Sequence, residues 1–284
     1  EDELGVELFA RSGKHLTHIT PWGEQVIKKA GEILGQVNSI KQVAQEFRDE
    51  KKGQLSIATT HTQARYALPP VIDQFISDYP EVGLQLHQGT PLQIAELASD
   101  GQVDFAIATE ALEHFSDLVM LPCYQWNRCI VVPKGHPLLS IERVTLADVA
   151  AHRIVTYVFG FTGRSKLDEA FDEAGLEPRV VFTATDADVI KTYVRLGLGI
   201  GIMAKMAFDE DKDDDLVAID ASHLFESSTT MIGFRRGTFL RGYMCEFMQL
   251  FAPHLTKERV VSAFEAVDQS GVDQVFAELA LPLR

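Results

Sequence analysis

The run Leu55-Ser56-Ile57-Ala58-Thr59-Thr60-His61-Thr62-Gln63 decides the fold class of this chain. It starts as a short apolar segment suited to a buried strand. It ends in hydroxyl and amide side chains that lead into a helical pattern over residues 65–79. The same order recurs downstream. Apolar runs at 82–86, 105–108, 129–132, 154–157, 180–182 and 200–203 alternate with helical patterns at 91–100, 163–174 and 187–196. Such alternation predicts an α/β architecture with mostly parallel sheets. Two blocks of it, each too small to fill the length, imply two subdomains. The chain is expected to cross between them near residues 123–126 and to return near 227–232.

Upstream, residues 8–19 read as two short strands around Ser12-Gly13-Lys14. Thr20 suits a helix N-cap and Pro21 the first helical position. No other proline occurs before Glu50. Ala30, Ile33, Val37, Ile40, Ala44 and Phe47 recur at spacings of three and four. A long helix cannot bury so narrow a stripe against itself. The stripe predicts a partner helix, most simply its copy in a dimer, although a helix lying along its own domain would show the same pattern. Lys51-Lys52-Gly53 reads as the end of this helix and a linker.

The 284 residues fit roughly two domains, and 46% hydrophobic with 24% charged residues excludes disordered and fibrous classes. No apolar run approaches the roughly 18 residues of a membrane span. The acidic start, Glu1-Asp2-Glu3, lacks the shape of a secretory signal. Cys123, Cys129 and Cys245 form no even framework and suit a reducing compartment, so a cytoplasmic location is expected. The formal charge is −15, unevenly spread: residues 1–52 hold eight basic and nine acidic side chains, and the remainder carries −14. Only the first segment is suited to approach a polyanion. The acidic run 209–215 lacks the glycine and closing glutamate of a calcium loop and reads as a solvated surface loop.

Catalytic constellations are missing from the sequence. There is no Gly-x-Ser-x-Gly elbow and no zinc spacing among the nine histidines. Gly160-Phe161-Thr162-Gly163-Arg164-Ser165-Lys166 lacks the Gly-Lys-Ser/Thr ending of a nucleotide loop. An enzyme is therefore not expected, nor a metal or cofactor. Hydroxyl-rich strand ends stand out instead: Thr59 to Gln63, Thr109-Glu110, and Gly160 to Lys166. In open α/β sheets ligands bind beyond the carboxyl ends of the strands, where helix N-termini offer free N–H groups and a positive dipole end. Each threonine alone reads equally as a cap. Three such ends facing one cleft favour a site for a small anion.

Leu4-Gly5-Val6-Glu7-Leu8-Phe9-Ala10-Arg11, followed by Thr20 and Gly23, resembles the stretch that closes the winged helix-turn-helix of LysR-type transcriptional regulators. In that family a long dimerising helix follows, then an effector module of two Rossmann-like subdomains similar to periplasmic binding proteins. Residues 59–66, 88–91, 159–165, 184–194 and 234–237 are similar to members that activate sulfate-assimilation and cysteine-biosynthesis genes. The resemblance implies the end of a winged domain at 1–20, a linker helix at 21–52, one subdomain at 53–123 plus 228–284, and a second at 124–227. Most of the helix-turn-helix would precede Glu1. It further implies N-acetylserine as inducer and sulfate or thiosulfate as an opposing ligand. The matching site is Thr60, Thr62, Gln63, Thr109 and Thr162, with Trp126 beside the cleft. Arg11, Lys14 and His15 become candidate DNA-phosphate contacts. DNA, RNA polymerase and further copies in a homodimer or homotetramer become the expected partners, with no membrane. A solute-binding protein with the same two-lobed module is the alternative.

Overall fold

The computed structural model describes residues 1–13, 15–46, 51–161 and 163–284, with only the backbone course given at 32, 35–36, 38–39 and 41–46. Strands β1 (Phe9–Ser12) and β2 (His15–Ile19) pair antiparallel, and helix α1 (Pro21–Glu46) follows. Thr20 caps that helix: its Oγ1 accepts from the Gly23 N–H at 3.0 Å and donates to the Glu7 carbonyl at 2.6 Å. Along α1 the side chains of Ile33, Val37 and Ile40 are 60%, 40% and 69% exposed, and Ala30 is exposed as well. This chain alone leaves the stripe uncovered. The Ala44 side chain, and Phe47 and Lys14 altogether, lie outside the described residues.

Two five-stranded sheets follow. The chain runs through β3 (Gly53–Thr59), a π-helical turn (Gln63–Ala67), α2 (Pro69–Asp78), β4 (Val82–Gln88), α3 (Pro91–Ser99), β5 (Phe105–Ala108) and β6 (Leu118–Trp126). It passes through Asn127 into β7 (Arg128–Pro133), α4 (Leu146–Ala150), β8 (Arg153–Tyr157), α5 (Arg164–Glu173), β9 (Arg179–Ala184), α6 (Ala187–Arg195), β10 (Ile200–Ala204) and β11 (Leu216–Asp220). It returns through β12 (Ser228–Arg235) and ends in α7 (Gly242–Phe251), α8 (Lys257–Glu265) and α9 (Gln269–Phe276). The first sheet has the order β4-β3-β5-β12-β6 and the second β11-β7-β10-β8-β9.

The sheets are mixed rather than mostly parallel. β3 is parallel to β4 and β5, and β8 to β9 and β10; β12 and β7 run antiparallel to both their neighbours. The reason is topological. A chain that enters a sheet from the other sheet enters at the cleft and runs away from it, against strands whose carboxyl ends form that cleft. Gly53 is not a linker residue but the first residue of β3. A Cβ there would fall on the Arg241 guanidinium and 2.7 Å from the Tyr243 hydroxyl, which ties the start of β3 to α7. Arg241 donates to the Lys52 carbonyl at 2.8 Å, and Tyr243 to the Gln54 carbonyl.

The first core gathers Leu55, Ile57, Phe75, Phe105, Phe247 and Phe251; the second sheet buries Ile130, Ile154, Phe171 and Ile202 on one face and Val155, Ile190 and Val194 on the other. All three cysteines are buried as thiols, and burial pushes Cys129 up to about 12, as expected of small hydrophobic fillers. Among the described residues no helix is long and apolar enough to cross a membrane. Phe247 packs edge-on against Phe75 at 5.3 Å and beside Phe105 at 6.2 Å. Phe247→Ala is expected to cost about 3–5 kcal/mol in a urea titration. A loss below about 1 kcal/mol would contradict this packing.

Candidate functional site

Four segments converge where the carboxyl ends of the strands meet: the ends of β3 and β5, the β6–β7 crossover, and the entry to α5. At the end of β3, the Thr59 hydroxyl donates to the Ile107 carbonyl at 2.9 Å and knits the two strands together. Thr60 and Thr62 follow, 7% and 2% exposed. Thr62 faces the Tyr157 phenol at the end of β8, yet its Oγ1 has no partner in hydrogen-bond geometry among the described residues. Such a hydroxyl is costly to bury. Gln63 points elsewhere. Its Nε2 donates to the Thr230 hydroxyl at 3.1 Å and its Oε1 accepts from Tyr124, so its amide braces the first sheet from within.

At the end of β5, Thr109 accepts from the Trp126 indole N–H at 3.3 Å. Trp126 is 1% exposed and lies under the Arg128 guanidinium, 5.2 Å from the ring centroid. Arg128 is 3% exposed and spans the junction. It donates to the Gly163 carbonyl, to the Glu226 carbonyl at 3.0 Å and to the Ser228 hydroxyl at 3.1 Å. Burial lowers its pKa to about 10, against the pull of Glu110, so it remains a cation at neutral pH. Gly163 has φ +70°, and a Cβ there would fall on the guanidinium. Thr162 lies outside the described residues. The structure thus brings Thr60, Thr62, Thr109 and Trp126 to one region.

Sequence reasoning missed Arg128 and a second cross-cleft cluster, and it placed Glu110 at a strand end without giving its carboxylate a role. In that cluster Arg65 and Tyr66, on the π-helical turn, reach α6 of the other sheet. Arg65 pairs with Asp188 at 2.6 Å, and the Tyr66 hydroxyl donates to Asp188 at 2.8 Å. Lys191 binds Asp213 at 2.9 Å, and Arg195 binds Asp213 and Asp215. These residues border a cleft of about 800 Å³. The acidic run is therefore not simply solvated: Asp213 is 3% exposed. Burial alone would raise its carboxyl, but hydrogen bonds from Lys191 and Arg195 outweigh burial and hold it below the usual range. The run's own spacing gave no signal of this; Lys191 lies 22 residues away. His61 approaches Asp186 and Asp188 closely enough to suggest a cation site. Asp188 already serves Arg65, Tyr66 and Lys191, so the cluster is better described as an ion-pair network.

On the hairpin, Arg11 pairs with Glu1 at 2.6 Å and His15 is exposed. A DNA phosphate would compete with Glu1 for Arg11.

Two mixed sheets meeting at a hydroxyl-lined junction, preceded by a long helix with an uncovered apolar stripe, define a two-lobed α/β module. Residues 48–256 match the family model of the LysR substrate-binding domain. The chain is 52% identical over 281 residues to the transcriptional regulator CysB of Haemophilus influenzae, spanning 99% of this chain and 87% of that protein. It is 51% identical over 260 residues to the regulator SsuR of Burkholderia cenocepacia, spanning 92% and 84%. The crystal structure of the cofactor-binding domain of the Cbl regulator superposes with a TM-score of 0.73 at 44% identity, covering 76% of this chain and 95% of that one. The chain belongs to the LysR family of transcriptional regulators and is of the CysB, Cbl and SsuR type. These are regulators rather than enzymes; they bind DNA and a small-molecule effector and typically oligomerise.

Gly163→Ala must displace Arg128 from the junction and adopt a backbone conformation that alanine resists. We expect it to lower the thermal midpoint by several degrees in calorimetry, and an unchanged midpoint would refute the close approach. Asp213→Asn leaves Lys191 with only the shared and more distant Asp188 as counter-charge and is expected to cost about 1.5–3 kcal/mol near pH 7. Because the Asp213 carboxyl is lowered in the fold, its contribution is present above the ordinary carboxylate range and is lost as pH falls through the depressed value. Denaturation curves of the two proteins should therefore converge in acid.

Proposed function

We propose that this protein is a ligand-controlled transcription regulator of sulfur-assimilation or cysteine-biosynthesis genes, and that its signal is a small anion held between the two lobes. One observation carries the reading: the buried hydroxyls of Thr60 and Thr62 beyond β3 and the half-buried Thr109 beyond β5 lie where a helix of the other sheet begins, and the Thr62 hydroxyl has no partner among the described residues. Neutral donors and a helix N-terminus suit an anion that must bind reversibly. Thr60, Thr62, Thr109 and Trp126 are the proposed lining. Thr162 joins them by its place in the matching motif, and Gln63 acts as their brace. N-acetylserine is the proposed inducer and sulfate or thiosulfate its opponent; the names of the relatives and the motif likeness support that choice. Residues 53–123 with 228–284 are the proposed first lobe and 124–227 the second.

The α1 stripe at Ala30, Ile33, Val37 and Ile40 is the proposed contact between copies in a dimer or tetramer. Arg11, Lys14 and His15 are proposed phosphate contacts, and RNA polymerase a further partner. Calorimetric titration with N-acetylserine and with sulfate tests the proposal. Saturable binding is expected, weakened roughly tenfold or more by Thr60→Ala, the scale of one lost hydrogen bond to a charged group. Binding that ignores this substitution would move the site elsewhere, and the absence of binding would remove the proposed signals.

A further inference from the structure

The junction already contains an anion of its own. Glu110, one residue beyond Thr109, is half-buried, and its carboxylate reaches across from the first sheet to the start of α5. It lies close to the Gly163 N–H and accepts a hydrogen bond from the Ser165 hydroxyl at 3.5 Å. Gly163 precedes the first residue of α5, so its N–H is one of the free donors where a soluble anion would gain from the dipole of this ten-residue helix. The backbone around Glu110 is unusual as well. Ala111, which follows it, has φ +72°, and among the described residues it is the non-glycine in the left-handed region. That conformation is strained for any residue with a side chain. It is tolerated where the chain turns sharply out of β5, at the residue that presents Glu110 to the opposite lobe.

We propose that Glu110 is a tethered competitor for the effector: its carboxylate holds the N-terminus of α5 against the end of β5, and a soluble anion binds at that junction by displacing it. The proposal rests on the reading of the cleft as a small-anion site. It explains how a site of neutral hydroxyls beside a buried arginine avoids capturing any anion in the cell. The entering ligand must outcompete a carboxylate held at high effective concentration. A compact anion with more acceptor oxygens than a carboxylate, such as sulfate, is the class best suited to do so. Displacement also breaks a contact between the lobes, so ligand occupancy and lobe separation become linked.

The groups that face Glu110 fix the pH behaviour. Burial raises its carboxyl above the ordinary range, against the Gly163 N–H, the Arg128 cation and the Ser165 hydroxyl, while Glu113 on the turn Leu112–His114 adds to the rise. Glu110 therefore takes up a proton earlier than an ordinary carboxylate as pH falls. Sulfate keeps its charge over that range.

Sulfate titration of the full chain at several pH values, with wild type, Glu110→Gln and Thr60→Ala, tests this. In wild type the affinity should rise as pH falls from neutral towards the carboxylate range. Glu110→Gln should bind sulfate roughly tenfold more tightly at pH 7, the scale of one pKa unit of charge coupling, and should lose most of the pH dependence. The rise in wild type needs no variant, so it stands even if Glu110→Gln folds poorly. Equal affinities and parallel pH profiles for wild type and Glu110→Gln, with Thr60→Ala still weakening binding, would overturn the competitor and leave the cleft site intact. No sulfate binding by either protein would overturn both.

Discussion

The guanidinium of Arg128 is the point on which the two lobes depend. It sits just beyond Asn127, where the chain leaves the first sheet, and it binds Glu226 and Ser228, where the chain comes back. It also binds the Gly163 carbonyl at the entry to α5 and stacks over Trp126 and Phe225. One planar cation with several fixed donors thus fastens both crossing segments and the start of the helix that faces the site. Lysine offers neither the fork geometry nor the stacking face. A cation so buried is stable only because its donors find acceptors. The left-handed glycine at 163 exists for the same reason, since a side chain there would occupy the guanidinium's place.

Around this fixed point the lobes touch through polar contacts as well as through a small apolar contact made by Ala204 and Met206 with the first core. Thr62 against Tyr157, Glu110 against the Gly163 N–H and Ser165, and Arg65 with Tyr66 against Asp188 are all polar contacts between the two lobes. Most of each apolar core lies within one sheet. Polar contacts of this kind add little net stability, because desolvation offsets much of their attraction, but they are selective about geometry. A small ligand can therefore redistribute them, and its effect is bounded by its difference in affinity between the arrangements it meets. The start of β3 is tied separately to α7 by Arg241 and Tyr243, on the side of the first lobe where the chain arrives from α1.

Much of the architecture was legible in the sequence because it depends on local pattern. The alternation of apolar runs and helical stretches, the Thr20-Pro21 helix start, and the hydroxyl-rich strand ends are short-range features, and the periods of strand and helix impose them on neighbouring residues. The C-terminal helices were not legible in the same way. α7 buries six of its ten residues, and a helix apolar on most sides loses the periodic contrast that marks an amphipathic one. The sheet directions were misread because they depend on where the chain re-enters a sheet, which no local pattern records.

By itself the sequence determined the α/β class, the apolar stripe of α1 and the threonines placed at strand ends. Only the tertiary structure decided which polar groups meet. Gln63 faces Thr230 and Tyr124 across 167 and 61 residues, Arg128 meets Ser228 across 100, and Ser165 meets Glu110 across 55. The acidic run at 209–215 carries the same charges in sequence and in structure, yet Asp213 became a buried partner of Lys191 because α6 packs where it does. Residue type fixes what a side chain is able to bond. Its partner is fixed by packing, because burial removes water as the alternative and leaves only the groups that the fold has brought within reach.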